Sequence, residues 1–252
     1  MSDIVSSPKG TDIHLSVVIP AYNEERRLPR TLDDVLGYLG SQTYASEVIV
    51  VDDGSTDRTG DVARTKDGGR IPVRVTRHPG GRNHGKGAAV RRGMLAAHGR
   101  YRLFMDADNS TTVDHVGRFW SFFEEGYDIV IGSRDVEGAV VAVHQPWYKE
   151  VAGNIGNVII RSLAVPGIYD TQAGFKVFKA NVVKDVFPRL TIDRFGFDVE
   201  ILAVARHHGY RIKETPITWI NDPESKVTWT TYFEVLSEVW RVRRNLRAGL
   251  YD

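Results

Sequence analysis

Apolar residues along the chain fall into short unbroken runs separated by stretches of helical period. Leu15-Ser-Val-Val-Ile19 has strand length and stops at Pro20, and Glu47-Val-Ile-Val-Val51 stops at Asp52-Asp53-Gly54. Runs that are apolar at consecutive positions fit strands buried on both faces. Between them Leu28, Leu32, Val35, Leu36 and Leu39 recur at helical spacing, which predicts a one-faced helix within residues 24–39. The alternation continues with a helix from Asp57, a strand at 71–76, a helix over 86–98 and a strand over 101–105. Strands separated by single helices predict an α/β fold with a mostly parallel central sheet flanked by helices.

The second half is less regular. It reads as a helix or loop over 147–163, a strand over 174–178, a helix over 197–208, a strand over 211–215 and a long final helix over 230–247. Residues 1–13 are expected to form a flexible arm. No repeat or Pro/Gly-rich linker divides the remainder, so residues 14–252 are expected to form one domain. Composition agrees, because 252 residues with 42% hydrophobic and 26% charged residues suit a domain with a full core. No apolar run approaches the length needed to cross a bilayer, and the first fifteen residues lack a signal-peptide core, so a cytoplasmic location is expected. The absence of cysteine excludes disulfides, Cys-ligated metals and a thiol nucleophile, leaving carboxylate, imidazole or water to hold any metal. The net charge of +1 conceals an asymmetry: residues 58–102 hold twelve Lys/Arg against Asp61 and Asp67. That stretch fits an anionic ligand as well as a solvated basic face. No recognised nucleic-acid module accompanies it, so no nucleic-acid partner is expected.

In doubly wound sheets, ligands bind beyond the carboxyl ends of the strands. Three such ends carry candidate chemistry: Pro20-Ala-Tyr22-Asn-Glu24, Asp52-Asp53-Gly54-Ser55, and Asp106-Ala-Asp108. Asp106 and Asp108 can aim two carboxylates at one point, which suits Mg²⁺ or Mn²⁺ on a diphosphate, although a turn or helix cap would use the same residues. The carboxylates of Asp52-Asp53 could accept hydrogen bonds from a base or ribose, with Asp57 or Ser55 capping the next helix as the plainer use of that loop. Gly80-Gly-Arg-Asn-His-Gly85-Lys86-Gly87 departs from the phosphate-loop pattern of ATPases, because Gly87 stands where a Ser/Thr hydroxyl would ligate magnesium. Lys86 and the glycine amides can still approach a phosphate at a helix start. Asp170-Thr-Gln172-Ala-Gly174-Phe-Lys176 and Arg194-Phe-Gly-Phe-Asp198-Val-Glu200 place acids and a lysine in the irregular half. Phe175 and Phe178 read as core, and Glu200 as an acid that helical spacing could bury.

Together with Ile131-Gly-Ser-Arg134 and Gly85-Lys-Gly87, these motifs follow one another in the order of a known family. Over residues 15–245 the chain resembles the family 2 glycosyltransferases, and within them the dolichyl-phosphate glucosyl- and mannosyltransferase branch. The resemblance implies a Rossmann-like glycosyltransferase A fold, with residues 14–110 as the nucleotide-sugar-binding half and 111–252 as the acceptor-binding half. Pro20, Tyr22, Glu24 and Asp53 would line the nucleotide pocket, with Lys86 supporting the donor phosphate. Asp106 and Asp108 would hold the divalent ion. Arg134, with Lys226 of Glu224-Ser-Lys226, would meet the acceptor phosphate, beside a substrate loop carrying Asp170, Gln172 and Lys176. The implied reaction is inverting transfer of one sugar from a nucleotide sugar, UDP-glucose or a UDP-N-acetylhexosamine, to a polyprenyl phosphate.

The pattern is closer to the glucosyl than to the mannosyl branch, because Asn221-Asp-Pro223 stands where the mannosyl branch carries an arginine. A GDP-mannose enzyme, transfer to a soluble hydroxyl, and a non-catalytic sugar-nucleotide-binding partner of a membrane protein are the alternatives. The Gln-x-x-Arg-Trp signature of processive synthases is absent. Many relatives carry transmembrane helices at one end, so attachment here is expected to be peripheral, to the cytoplasmic membrane surface or to a membrane protein. The final helix carries Trp229, Tyr232, Phe233, Leu236 and Trp240 ahead of Arg241, Arg243, Arg244 and Arg247, a combination suited to an anionic membrane and equally to core packing with a solvated end. A homodimer stays open.

Overall fold

The computed structural model describes residues 12–142, 165–220 and 229–252, with side chains from residue 234 onward in the last segment. The helix or loop expected over 147–163, the N-terminal arm up to residue 11 and Lys226 lie outside the described residues. Ile13 is already buried and its carbonyl accepts the Arg100 N–H at 2.8 Å.

In chain order the elements are β1 (Leu15–Ala21), α1 (Leu28–Ser41), β2 (Ser46–Asp52), α2 (Thr59–Arg64), β3 (Val73–Arg77), α3 (Lys86–Ala96) and β4 (Tyr101–Met105). A 3₁₀ turn (Val113–Arg118), α4 (Trp120–Glu124), β5 (Ile129–Ser133) and β6 (Val140–Val141) follow. After residue 164 come β7 (Phe175–Lys179), α5 (Ala180–Val186), α6 (Phe197–His207), β8 (Ile212–Pro216), β9 (Thr218–Trp219) and α7 (Trp229–Arg247). Seven strands form one sheet in the order β3-β2-β1-β4-β7-β5-β8, and β6 pairs with β9 in a small second sheet. All main-sheet pairings are parallel except those of β7, which runs antiparallel to β4 and to β5. The mostly parallel expectation holds, with one reversal.

The unbroken apolar runs have the expected cause. Val17 and Ile19 of β1 join a core under α1 and Phe119, whereas Val18 joins the opposite core under α3, α6 and α7. A strand covered on both faces has no solvent side, so alternation disappears from its sequence. α1 begins at Leu28 rather than at residue 24, because residues 24–27 form a turn whose Glu24 carbonyl accepts the Arg27 and Leu28 N–H groups. Pro29 then sits in the first helical turn, where its missing N–H breaks no helical bond.

Candidate active site

The three strand ends singled out in the sequence meet at one edge of the sheet, because β1, β2 and β4 are adjacent and parallel. The loops after β1 and β2 are laced together. Asn23 adopts φ 54°, its N–H donates to Ser55 Oγ at 3.0 Å, and its Oδ1 accepts from the Thr56 N–H at 2.9 Å. The Glu24 N–H donates to Thr59 Oγ1 at 2.8 Å, and Asp57 Oδ1 accepts the N–H of Thr59, the first residue of α2, at 2.9 Å, from one position ahead of the cap residue Arg58. Pro20 is buried within β1, which continues one residue past it to Ala21 instead of stopping there, Tyr22 is exposed just beyond, and the Glu24 carboxylate takes both Nε and Nη2 of Arg27 at 2.6 Å.

Asp52 and Asp53 diverge. Asp52 is buried against Arg77, whose Nε donates to Oδ2 at 2.7 Å, and it also accepts the Ser55 N–H. Asp53 turns towards the glycine-rich loop, where Oδ1 accepts the His84 N–H at 2.9 Å and Oδ2 the Gly85 N–H at 2.8 Å. Burial pushes the Asp53 carboxyl up in spite of those two bonds. Each oxygen keeps a second acceptor position, so Asp53 can pin the loop and still accept from a ligand.

The next residue, Lys86, opens α3 and places Nζ 2.7 Å from Asp106 Oδ1. Gly85 and Lys86 therefore bridge the acids of two strand ends. Burial works against the charge on Lys86, but Asp106, then Asp198, outweigh it and raise its pKa. Asp106 is held from behind as well: its N–H donates to the Gly174 carbonyl at 3.2 Å, and its carboxylate lies against Gly174 so closely that a Cβ there would collide with it. Asp108 Oδ1 accepts the Ser110 N–H at 2.9 Å, and burial followed by the charge on Asp106 pushes the Asp108 carboxyl up. Two neighbouring half-buried carboxylates are a donor set a divalent cation would relieve. No cluster of three or more His, Asp or Glu suited to a metal exists among the described residues. The pair thus fits an ion such as Mg²⁺, which uses one or two carboxylates and completes its shell with phosphate oxygens and water.

A recess opens between Asp106 and Arg134, walled by Ser110, Thr111, Gly174 and Trp219. Arg134 follows β5, and its guanidinium is fixed before any ligand arrives. Nε and Nη2 donate to the two oxygens of Asp170 at 2.8 and 2.9 Å, the Arg134 N–H adds a third bond at 3.0 Å, and the group lies 5.2 Å from the Trp219 ring centre. Asp170 is 0% exposed, and its own N–H, with that of Tyr169, donates to Glu214. Burial alone would raise Asp170, but the Arg134 guanidinium holds it below the ordinary carboxylate range. Burial would likewise lower Arg134, and Asp170 reverses that, so the arginine stays charged.

The substrate-loop residues separate. Gln172 is half-buried in the turn beside Gly174, whereas Asp170 faces Arg134 and orients it. Lys176 lies within β7, 0% exposed, with Nζ 2.5 Å from both Asp198 Oδ1 and the Ala173 carbonyl. Of the three residues expected in the substrate loop, Lys176 is the one drawn into the core, because strand alternation turns it to the face covered by α6. Glu214 and Trp219 were not anticipated; they come from β8 and β9, and nothing local marks them. Phe175, Phe178 and Glu200 are buried as expected, Glu200 accepting the Thr191 and Ile192 N–H groups and the Tyr251 hydroxyl. On α7, Val235, Val239 and Val242 enter the core, while Trp240 is 60% exposed beside exposed Arg241, Arg244 and Arg247. Among the described residues no helix is long and apolar enough to cross a membrane.

Comparison with known proteins fits this arrangement. Residues 16–187 match the sequence profile of Glycosyl transferase family 2. The chain is 32% identical over 252 residues to a dolichyl-phosphate beta-glucosyltransferase of Dictyostelium discoideum, covering 95% of this chain and 77% of that one. It is 35% identical to the Drosophila melanogaster protein of the same name (90% and 74% covered) and 34% to that of Homo sapiens (84% and 69%). Among solved structures, glucosyl-3-phosphoglycerate synthase of Mycobacterium tuberculosis, in complex with Mn²⁺, UDP-glucose and phosphoglyceric acid, superposes with a TM-score of 0.68 at 18% identity, covering 92% of this chain and 80% of that one. The fold is thus that of the glycosyltransferase A enzymes. With the family's motifs in order and its profile covering more than half of the sequence, the chain belongs to the family 2 glycosyltransferases.

Proposed function

We propose that this enzyme transfers a single glucosyl residue from UDP-glucose to a polyprenyl (dolichyl-type) phosphate, with inversion at the anomeric carbon. The observation that carries the reading is the recess with the Asp106/Asp108 carboxylates on one side and the pre-oriented Arg134 guanidinium on the other, in a chain about one-third identical to dolichyl-phosphate beta-glucosyltransferases. An Mg²⁺ or Mn²⁺ ion held by Asp106 and Asp108 would stabilise charge on the departing diphosphate.

The chain's own groups manage two anions that otherwise repel in a partly dry cleft. Lys86 faces the donor phosphates, and Asp53 with Pro20, Tyr22 and Glu24 faces the nucleoside. Arg134, joined by Lys226, takes the acceptor phosphate. An acceptor phosphate oxygen forms the new bond to the anomeric carbon from the face opposite UDP, and the bonding pair of the breaking C–O bond leaves on the diphosphate. An α-linked donor then gives a β-linked product. The phosphate is already ionised near neutral pH, so no base has to remove a proton. Among the described residues the buried acid beside Arg134, Asp170, is engaged by that guanidinium, which favours a phosphate acceptor over a hydroxyl. The exposed Trp240/Arg241/Arg244/Arg247 stripe of α7 suits peripheral contact with an anionic, cytoplasm-facing membrane surface.

The test is incubation of purified protein and Mn²⁺ or Mg²⁺ with a short polyprenyl phosphate and a panel of nucleotide sugars, followed by mass analysis of the lipid. A gain of one hexose from UDP-glucose alone is expected, with loss of turnover in Asp108→Ala. Consumption of UDP-glucose by a soluble hydroxyl acceptor and not by the lipid would overturn the reading, as would an α-linked lipid product. For the membrane contact, a Trp240→Ala/Arg244→Ala variant should sediment less with anionic vesicles, and unchanged sedimentation refutes that surface.

A further inference from the structure

A second charged pair lies behind the candidate donor site. Lys176 and Asp198 are almost wholly buried, and their 2.5 Å contact is reinforced by the Ala173 carbonyl and by the Phe104 ring 5.2 Å from Nζ. Taking two charges out of water commonly costs more than their attraction returns, and apolar replacements of similar size are often as stable. Stability alone gives the pair no reason to be charged.

Its location supplies one. The start of α6, which carries Asp198, abuts the start of α3, which carries Lys86. A Cβ on Gly87 would stand 2.6 Å from Phe197 Cβ, and the Ala88 N–H donates to the Asp193 carbonyl at 3.1 Å. Lys86 and Asp198 are the immediate neighbours of Gly87 and Phe197, so this packing brings them to one place. Lys86 touches Asp106, which the reading above gives to the divalent ion. A cation drawing on Asp106 takes away the lysine's direct partner and adds a like charge beside it, which pushes Lys86 outwards.

We propose that Asp198, fixed by Lys176, is a positioning residue that retains the charged Lys86 over the donor diphosphate when the cation engages Asp106. The arrangement alternates in sign from Asp106 through Lys86 and Asp198 to Lys176. Its far end is tied to Ala173, next to the glycine that walls Asp106, so the same buried lysine braces both sides. Asp198 touches neither sugar nor lipid; its effect reaches the diphosphate through Lys86. The proposal rests on the placement of Lys86 at the donor phosphates, and the experiment separates the two.

The experiment is calorimetric binding of UDP and of uridine, in Mg²⁺, to the whole protein and to Lys86→Met, Asp198→Asn, Asp198→Asn/Lys176→Met, and the triple variant. The Asn/Met double variant removes both buried charges at similar volume, which protects the fold where Asp198→Asn alone would strand Lys176. Lys86→Met and the double variant are each expected to weaken UDP about tenfold, the scale of one hydrogen bond to a charged group. Uridine, lacking the diphosphate, should bind all variants alike, and the triple variant should be no weaker than Lys86→Met. Wild-type UDP affinity in the Asn/Met variant with a weakened Lys86→Met overturns the inference, as do losses that multiply in the triple variant. Unchanged UDP affinity in Lys86→Met overturns the placement of the lysine itself, and the inference with it.

Discussion

Gly174 makes a sharp prediction because the chain gives it only one reason to be glycine. Its φ is not in the left-handed region, so alanine can adopt the same backbone, and the obstacle is the Asp106 carboxylate, all three terminal atoms of which lie within the volume a Cβ would take. The Gly174 carbonyl also accepts the Asp106 N–H, so the two residues cannot separate without breaking that bond. In Gly174→Ala the carboxylate has to rotate away, leaving Lys86 and the position where a cation would sit. An off-rotamer side chain costs about 1 kcal/mol. In a domain of this size 1 kcal/mol lowers Tm by roughly 2–4 °C. Displacing a site group by about 1 Å, in contrast, costs on the order of a hundredfold in rate.

The expected result is a folded protein with Tm lowered by a few degrees and kcat/KM for sugar transfer reduced about a hundredfold, in line with that displacement. Scanning calorimetry beside the lipid-linked sugar assay reads both. Activity within twofold of wild type would show that Asp106 does not act from the position seen here. A collapse in Tm of more than ten degrees would show that Gly174 serves the fold and not the site.

Asp170→Asn leaves Arg134 with one strong acceptor in place of two, and it should destabilise by about 3 kcal/mol, the low end for breaking a buried pair because the guanidinium keeps some contact with water. Urea midpoints check it, and Arg134→Lys should fail to restore activity because a point charge cannot make the two-pronged contact; wild-type turnover in either variant counts against the role given to Arg134. Glu47 is buried at the opposite end of the sheet, where burial raises its pKa but the His98 N–H, Ser16 and Arg74 together bring it below its ordinary value of 4.5. A folded pKa below the unfolded one contributes stability that is present above pH 4.5 and is lost as pH falls through the folded value. Glu47→Gln should therefore flatten the acid side of the stability curve below pH 4.5, measured by urea unfolding, and an unchanged slope there refutes it.

The first half of the fold was legible because β1, β2 and β4 are covered on both faces and so are written as apolar runs, and because α1 shows one apolar face. The three acidic strand ends could be placed in one cleft from topology alone. β5 was visible only as the motif Ile131-Gly-Ser-Arg134, because three apolar residues before a glycine are too few to distinguish a strand. α5, with seven residues, is too short to show a period. Arg134 and Asp170 were both singled out, but their pairing spans 36 residues and carries no local sign. Lys176 shows the opposite failure. It sits in a motif rich in polar residues, yet Phe178, two positions on, shares its face, and that face lies under α6. Only the sheet order decides which side of β7 is cleft and which is core.

That order also explains how two distant segments come to share one edge. In a parallel sheet, the residue before a strand lies at the end opposite the ligand crevice, so a loop leading into a strand cannot line it. β7 is reversed, and its first residue, Phe175, pairs with Met105, the last residue of β4. Gly174 is therefore set against Asp106, and Asp170, four residues earlier, reaches Arg134 at the end of β5, which is paired with β7 on its other side. A single antiparallel strand thus places the turn before it between two parallel strand ends, one acidic and one basic. The proposed donor and acceptor charges face each other across that turn, which is why a substitution as small as a methyl group at Gly174 is expected to register in the chemistry long before it registers in the fold.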